Sequence, residues 1–493
     1  MRVRDDGLNI GWIPNETILE EGCLCMMNNF ICLHLMFSLV ALSISAENAQ
    51  PHIIHIVADD LGWNDVSFHG SEIRTPAIDK LASESVVLNR FYVTPICSPT
   101  RAGMLTGRYP FHFGIWGGVV SPSQRHGLPP SEQTLPELLE EAGYRKRVLL
   151  GKWHLGLASD KFHPLNHGFT DFYGHYNGAI DYFSRKRFGE LDWHRNHQSV
   201  HEQGYSTDLL ADEAVRLIEN SNDEFPLYMC IAFNAPHSPI QAKESDLDKV
   251  GFDPSGPRAK NTVSGIARRE KSPDYGANGK GNTVRQTFAA MVTSLDENIG
   301  RIMRALKNKG MKENTIVIFH SDNGGIPNHG GDNRPLRGNK FTTWEGGVRV
   351  VAMIRWPSKL PGGTIYPSVS GYIDLVPTLT SAVGLKTPPN LDGINLLPFL
   401  KGTHPPENRS LILDEKTIVT DRWKWKDDSL FDLKNDPGEL NPVKHTPDAI
   451  TARLKTQLAK FNDLKGSQNL TRLPKPEKWP PHEWKLPVEP AYP

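Results

Sequence analysis

Residues 52–60 read HIIHIVADD, an apolar run from His52 to Ala58 that ends in two carboxylates, Asp59 and Asp60. Apolar residues without alternation mark a strand buried on both faces, as in a parallel sheet. Three further runs have this character: residues 147–150 (RVLL), 227–233 (LYMCIAF) and 315–319 (TIVIF). Each empties into residues that carry chemistry. The second is followed by Lys152 and His154, the third by Asn234 and His237, and the fourth by Asp322 and Asn323. Ligands of open α/β sheets bind outside the carboxyl ends of the strands. One such exit would mean little, whereas four delivered to the same edge point to an active site.

Helices fill the intervals. Residues 134–143 (TLPELLEEAG) hold Thr134 and Glu137 at capping-box spacing, with Leu135, Leu138, Leu139 and Ala142 on one face and Gly143 as a stop. Phe288, Val292, Leu295, Ile299, Ile302 and Leu306 form a second stripe, ended near Gly310. Strands alternating with helices predict an α/β sandwich with a mainly parallel central sheet. Residues 251–285 are rich in Gly, Pro, Ser and charge and read as a long surface excursion. From about residue 405 short strands follow one another (SLILD, TIVTD, SLFDL), then the turn Asn435–Gly438 and a helix over 448–465. This is a small C-terminal α+β region, followed by a Pro-rich tail.

Residues 26–46 (MMNNFICLHLMFSLVALSISA) contain an apolar segment, Phe30 to Ala41, too short to span a bilayer, with Ser43, Ser45 and Ala46 behind it. The reading is a signal peptide, with Met26 or Met27 as start and residues 1–25 as a non-native upstream extension. It makes the chain secreted or periplasmic, without a stable membrane anchor. The resulting division is 50–404 catalytic, 405–472 C-terminal α+β and 473–493 tail. Of five cysteines, Cys23, Cys25 and Cys32 precede residue 47, leaving Cys97 and Cys230 and no disulfide framework. Cys230 lies within an apolar strand and reads as packing. A net charge of −1 gives no electrostatic case for nucleic acid.

Asp59, Asp60, Asp322 and Asn323 are hard oxygen ligands. Carboxylates crowded together call for a divalent cation, and oxygen-only ligation favours calcium or magnesium over zinc. Taken singly, the same residues are ordinary helix caps and turn formers. The sharpest motif is residues 97–108, CSPTRAGMLTGR. Ser98 and Pro99 read as an N-cap and a first helical residue, which sets Cys97 at a helix N-terminus where negative charge is favoured, with Arg101 one turn on.

Cys97-Ser98-Pro99-Thr100-Arg101 fits the C-x-P-x-R signature of the type I, formylglycine-dependent sulfatases, and Leu105–Arg108 continues it. Gly151-Lys152-Trp153-His154-Leu155-Gly156 matches their second signature. Thr100 replaces the commoner Ser. Residues 331–349 and Asp181-Tyr182-Phe183 resemble the arylsulfatase B, or N-acetylgalactosamine-4-sulfatase, branch, without the many cysteines of its animal members. The resemblance implies an alkaline-phosphatase-like fold and hydrolysis of sulfate esters on carbohydrate or aryl groups. It implies that a separate maturation enzyme oxidises Cys97 to formylglycine. Asp59, Asp60, Asp322, Asn323 and modified Cys97 would then bind calcium, Arg101 and His154 would hold the formylglycine hydrate, and Lys152, His237 and Lys340 would grip sulfate, with His237 protonating the leaving oxygen.

Two rivals stand beside this reading. A phosphomonoesterase or phosphodiesterase of the same superfamily would use Ser or Thr as nucleophile with two transition metals. A non-catalytic glycan-binding relative would have lost catalytic positions. His55, His112, His175, His320 and His329 read as structural, and the sequons at Asn15, Asn408 and Asn469 matter only in a eukaryotic secretory host.

Overall fold

The computed structural model describes residues 50–463, apart from 122–125, 223, 261–273, 406–407 and 446–447. The proposed upstream extension, signal peptide and Pro-rich tail lie outside the described residues. Among those described, no helix is long and apolar enough to cross a membrane.

Ten strands form the main sheet: β1 (His52–Ala58), β2 (Val86–Leu88), β3 (Lys146–Lys152), β4 (Asp171–His175), β5 (His194–Arg195), β6 (Gln198–Ser199), β7 (Leu227–Ala232), β8 (Thr315–Ser321), β9 (Ala352–Arg355) and β10 (Thr364–Tyr366). Their order is β10-β2-β9-β8-β1-β7-β3-β4-β5-β6. The central run β8-β1-β7-β3-β4 is parallel throughout, and β9 joins β8 antiparallel. The four apolar runs are therefore neighbours, and their exits lie side by side.

Both faces of this run are packed. Ile53, Val57, Leu149, Tyr228, Cys230, Ile316 and Ile318 point into one core. Ile54, Ile56, Val148, Leu150, Met229, Ile231, Val317 and Phe319 point into the other. The period of two sends alternate residues to opposite sides, and each side finds a helical layer. Burial pushes the Cys230 thiol up to about 12, as expected of a packing residue.

The helices that matter for the site are α1 (Pro76–Ser83), α2 (Cys97–Thr106), α3 (Leu135–Glu141), α4 (Ser206–Glu219) and α5 (Val284–Asn308). The expected capping box opens α3, with the Thr134 N–H donating to Glu137 at 2.7 Å. The predicted stripe of α5 is fully buried. The start of α2 differs from expectation. The helix begins at Cys97, with Ile96 as an extended N-cap that makes no side-chain bond. Ser98 does not cap it: its hydroxyl donates to the His154 carbonyl at 2.9 Å and accepts from the Val120 N–H at 3.1 Å.

The C-terminal region is a four-stranded antiparallel sheet, β11 (Ser410–Asp414), β12 (Thr417–Thr420), β13 (Trp423–Lys426) and β14 (Ser429–Asp432), covered by α6 (Asp448–Asp463). Strand β13, sequence WKWK, was not among the strands expected from the sequence. Here Lys424 is buried and its ammonium bridges Glu345 at 3.1 Å and Glu439 at 2.8 Å. The surface excursion also ends differently. Tyr275 and Lys280 return to the interior, where Lys280 donates to the Ile240 carbonyl and Tyr275 receives Arg187.

Replacing Lys424 by Met would leave the Glu345 and Glu439 carboxylates buried with their shared cation removed. Breaking a buried pair this way is expected to cost about 3–5 kcal/mol, measured as a lowered urea midpoint. A loss below about 1 kcal/mol, the range of exposed pairs, would show that the knot contributes little.

Candidate active site

At the ends of β1 and β8 three carboxylates meet three cations. Asp59 accepts from Lys152 Nζ at 2.5 Å, with Arg101 Nη2 at 3.7 Å from the same oxygen. Asp322 accepts from Arg101 Nη2 at 2.8 Å and Nε at 3.2 Å. Asp60 accepts from Lys340 Nζ at 2.5 Å and from the Asn323 amide at 2.7 Å. All seven side chains are at most 3 % exposed. Asp60 takes a left-handed backbone, φ 66°, a conformation that costs a non-glycine residue free energy and marks a position fixed by its surroundings.

Electrostatics follow from crowding without water. Burial, then the neighbouring Asp59, pushes Asp322 up, against Arg101 and the two lysines. Burial alone would lower Lys340, but Asp60, followed by Cys97, Asp59 and Asp322, holds its ammonium above the usual range. Lys340 thus stays charged beside Asp60.

One oxygen each of Asp59 (Oδ1), Asp60 (Oδ2) and Asn323 (Oδ1) is buried without a hydrogen-bond partner. Unpaired buried acceptors are costly. Ligand atoms of Asp59, Cys97 and Asp322 lie within 4.8 Å of one another, as do those of Asp59, Asp60 and His237. Two oxygens on one calcium, each ~2.3–2.6 Å from it, can be no farther apart than about 5.2 Å. The donor set, mainly carboxylate and amide oxygen, fits a hard divalent cation.

Cys97 lies beside this cluster on the first turn of α2. The expected aid to its thiolate is outweighed, since burial pushes the thiol up, followed by opposing contributions from Lys152 and Lys340. Arg101 spends its donors on Asp322 and on the Lys152 carbonyl. His154 follows β3 with φ 57°, and its ring lies against Gly178, where a Cβ would come within 2.3 Å of the ring. Only glycine permits that approach. Burial, then Lys152, Arg101 and Lys340, hold His154 far below the usual histidine range, so it is neutral, with Nδ1 unpartnered.

His237 is also held neutral, by burial and then by Lys340 and Lys152. Its Nδ1 contacts the Ser238 carbonyl at 2.6 Å, which can only accept. The proton is therefore on Nδ1, and Nε2 carries the lone pair, 3.6 Å from Asp60. Tyr182 fixes this loop by donating toward the Asn234 and His237 carbonyls at 2.6 and 2.8 Å.

The structure thus brings together all ten predicted residues. His329, which was read as structural, lies near enough to interact electrostatically with the site. His329 is half-buried, feels Asp60 and Lys340, and is felt by His237. Its place after β8, in DNGGIPNHGG, was the available signal. His55 and His320 do support the site structurally, their Nε2 atoms 2.8 Å apart beneath Arg101.

Comparison with known proteins follows the same line. The Sulfatase family matches residues 51–385. Arylsulfatase J of Mus musculus is 36 % identical over 345 residues, covering 68 % of this chain and 53 % of the relative, so the chain spans about half of that protein. N-acetylgalactosamine-6-sulfatase of Mus musculus is 32 % identical, covering 75 % of this chain and 70 % of the relative. The crystal structure of Ps i-CgsB superposes with a TM-score of 0.73 at 31 % identity, covering 86 % of this chain and 95 % of that one. These relatives do not single out the arylsulfatase B branch. With its signatures, fold and acidic site in agreement with this match, the chain belongs to the sulfatase family.

Proposed function

We propose that this chain hydrolyses sulfate esters on carbohydrate, using a formylglycine made from Cys97 and a bound calcium ion. The observation that carries the reading is the set of three unpartnered buried oxygens beside Cys97, flanked by Lys152 and Lys340. A phosphatase-type rival would place Ser or Thr where Cys97 stands, and a non-catalytic relative would lack some of these groups. The carbohydrate part is supported by relatives. One is named for N-acetylgalactosamine 6-sulfate, and Ps i-CgsB has been solved with k-i-k-neocarrahexaose. Export through the leader at 26–46, and a separate maturation enzyme acting on Cys97, complete the proposal.

When present, formylglycine would supply a hydrated aldehyde as nucleophile, and calcium, held by Asp59, Asp60, Asp322 and Asn323, would neutralise sulfate charge. The chain's own residues do the rest. Lys152 and Lys340 sit where they can share their protons between Asp59 or Asp60 and a sulfate oxygen, favouring charge that builds up as the ester bond breaks. Arg101 holds Asp322 and Asp59 in register. Neutral His154, with an unpartnered nitrogen, serves as base. His237 must gain a proton on Nε2 before it can donate to the leaving oxygen. An arriving sulfate ester favours that, because its negative charge offsets the two lysines that keep the ring neutral.

Cys97→Ala is expected to abolish nitrophenyl sulfate turnover with the melting temperature preserved, and mass spectrometry of active protein should find position 97 oxidised. Turnover by the pure variant would remove Cys97 from the mechanism. Calorimetric titration with calcium should fit one site, weakened at least ~10-fold by Asp322→Ala, as loss of a charged ligand implies. Unaltered affinity would place the ion elsewhere. His237→Ala should slow a sulfated sugar at least ~10-fold more than nitrophenyl sulfate, whose leaving group departs without a proton, given general-acid contributions of roughly 10²–10⁴. Equal losses would make His237 a sulfate ligand.

A further inference from the structure

Beside the sulfate site lies a cavity of about 230 Å³ whose walls include Pro95, Ile96, Pro99, Trp116, Phe341 and Asp414. It is smaller than the roughly 300–1,000 Å³ pockets that engulf drug-sized ligands, and has room for one ring. Phe341 is unusual on two counts. It is 65 % exposed, one of three large apolar side chains so exposed among the described residues. Its backbone is left-handed, φ 74°, a region that bulky residues avoid. The segment is pinned there, the Phe341 N–H donating to the Pro95 carbonyl at 2.8 Å and the Thr342 N–H to Asn339 at 3.1 Å. A strained, solvent-facing aromatic adds little to packing and is drawn from the class of features kept at ligand sites.

The surroundings state what the ligand is. Lys340 Nζ stands 5.6 Å from the centre of the Phe341 ring, which sets that ring beside the lysine proposed to grip sulfate. Trp116 is half-buried and held edge-on against Phe111 at 5.1 Å, a rigid second wall. Asp414 accepts from the Thr343 hydroxyl at 3.1 Å and the Lys416 N–H at 2.8 Å, leaving lone pairs on both oxygens for further donors. Two aromatic walls and a carboxylate match a ring with an apolar C–H face and hydroxyl edges. The electron-rich face of an aromatic ring suits such C–H groups.

We propose that Phe341 and Trp116 form a saccharide subsite that seats one pyranose ring of a sulfated oligosaccharide, with Asp414 accepting from its hydroxyls. This inference rests on the sulfatase reading and names the substrate contact of the same site. A subsite that binds the ring alike in ground and transition states raises KM and leaves kcat in place when it is lost.

The test uses the full-length matured protein with nitrophenyl sulfate and a neocarrahexaose as probes. For Phe341→Asn and Trp116→Ala, KM for the oligosaccharide should rise at least ~10-fold with kcat within about threefold, and Phe341→Tyr should restore KM. Phe341→Asn should melt no lower than wild type, because Asn tolerates the left-handed backbone. A lower melting temperature with unchanged KM would make Phe341 structural and overturn the subsite, as would a loss confined to kcat. Absence of nitrophenyl sulfate turnover in the wild type would overturn the sulfatase reading itself, and the subsite with it. Turnover of that probe with unchanged oligosaccharide KM in both variants would overturn the subsite alone.

Discussion

Negative charge packed out of water is the constraint around which this molecule is arranged. Asp59, Asp60 and Asp322 cannot sit together in a dry interior unless matching positive charge is brought to them. Lys152 arrives on β3, Arg101 on α2 and Lys340 on the loop after β8, so three separate parts of the chain are tied to one point. The central parallel strands supply the rigidity that makes this possible. With both faces of β1, β3, β7 and β8 packed, the four strand exits have little freedom, and the charged groups meet at fixed distances. What the cations leave uncovered, one oxygen each from Asp59, Asp60 and Asn323, forms the candidate metal site.

Much of this was legible in the residues. The apolar runs identify the sheet because short runs without alternation, each bounded by turn residues and rich in Ile and Val, suit strands buried on both faces. The strand exits identify the site because parallel topology puts all of them at one edge. Several parts were not legible because sequence patterns assign charged residues to the surface. Lys424 gives no sign of burial in the sequence WKWK, yet two glutamates from distant segments hold it inside. Lys280 and Tyr275 were hidden in a polar stretch for the same reason. The bonds of Arg101 to Asp322 were likewise not legible, because nothing in the residues shows which carboxylate its fork meets. The helix start at Cys97 was missed because Ser98 and Pro99 resemble a cap, but Ser98 is used to bind His154 and Val120.

The C-terminal sheet is joined to the site through charge as well as packing. Glu345 lies five residues beyond Lys340, and it is gripped by Lys424 of β13 while its N–H donates to Glu439 at 2.6 Å. Arg337 reaches the Glu439 carbonyl at 2.6 Å from the other side of Lys340. The loop that carries Lys340 and Phe341 is thus held at both ends by residues from the last part of the chain. The C-terminal region therefore braces the loop that leads into the candidate site.

The burial of Cys97 also sets a clock. Its enclosure is built from β1, β3, β8 and the Lys340 loop, the last of which lies roughly 240 residues downstream. At about 5–20 residues per second, a ribosome needs on the order of ten to fifty seconds to make that stretch. During this interval the thiol lies on a nascent chain whose lid does not yet exist. The Cys97 thiol is thus open to solution for those seconds and enclosed afterwards, so the order of synthesis sets how long it can be reached.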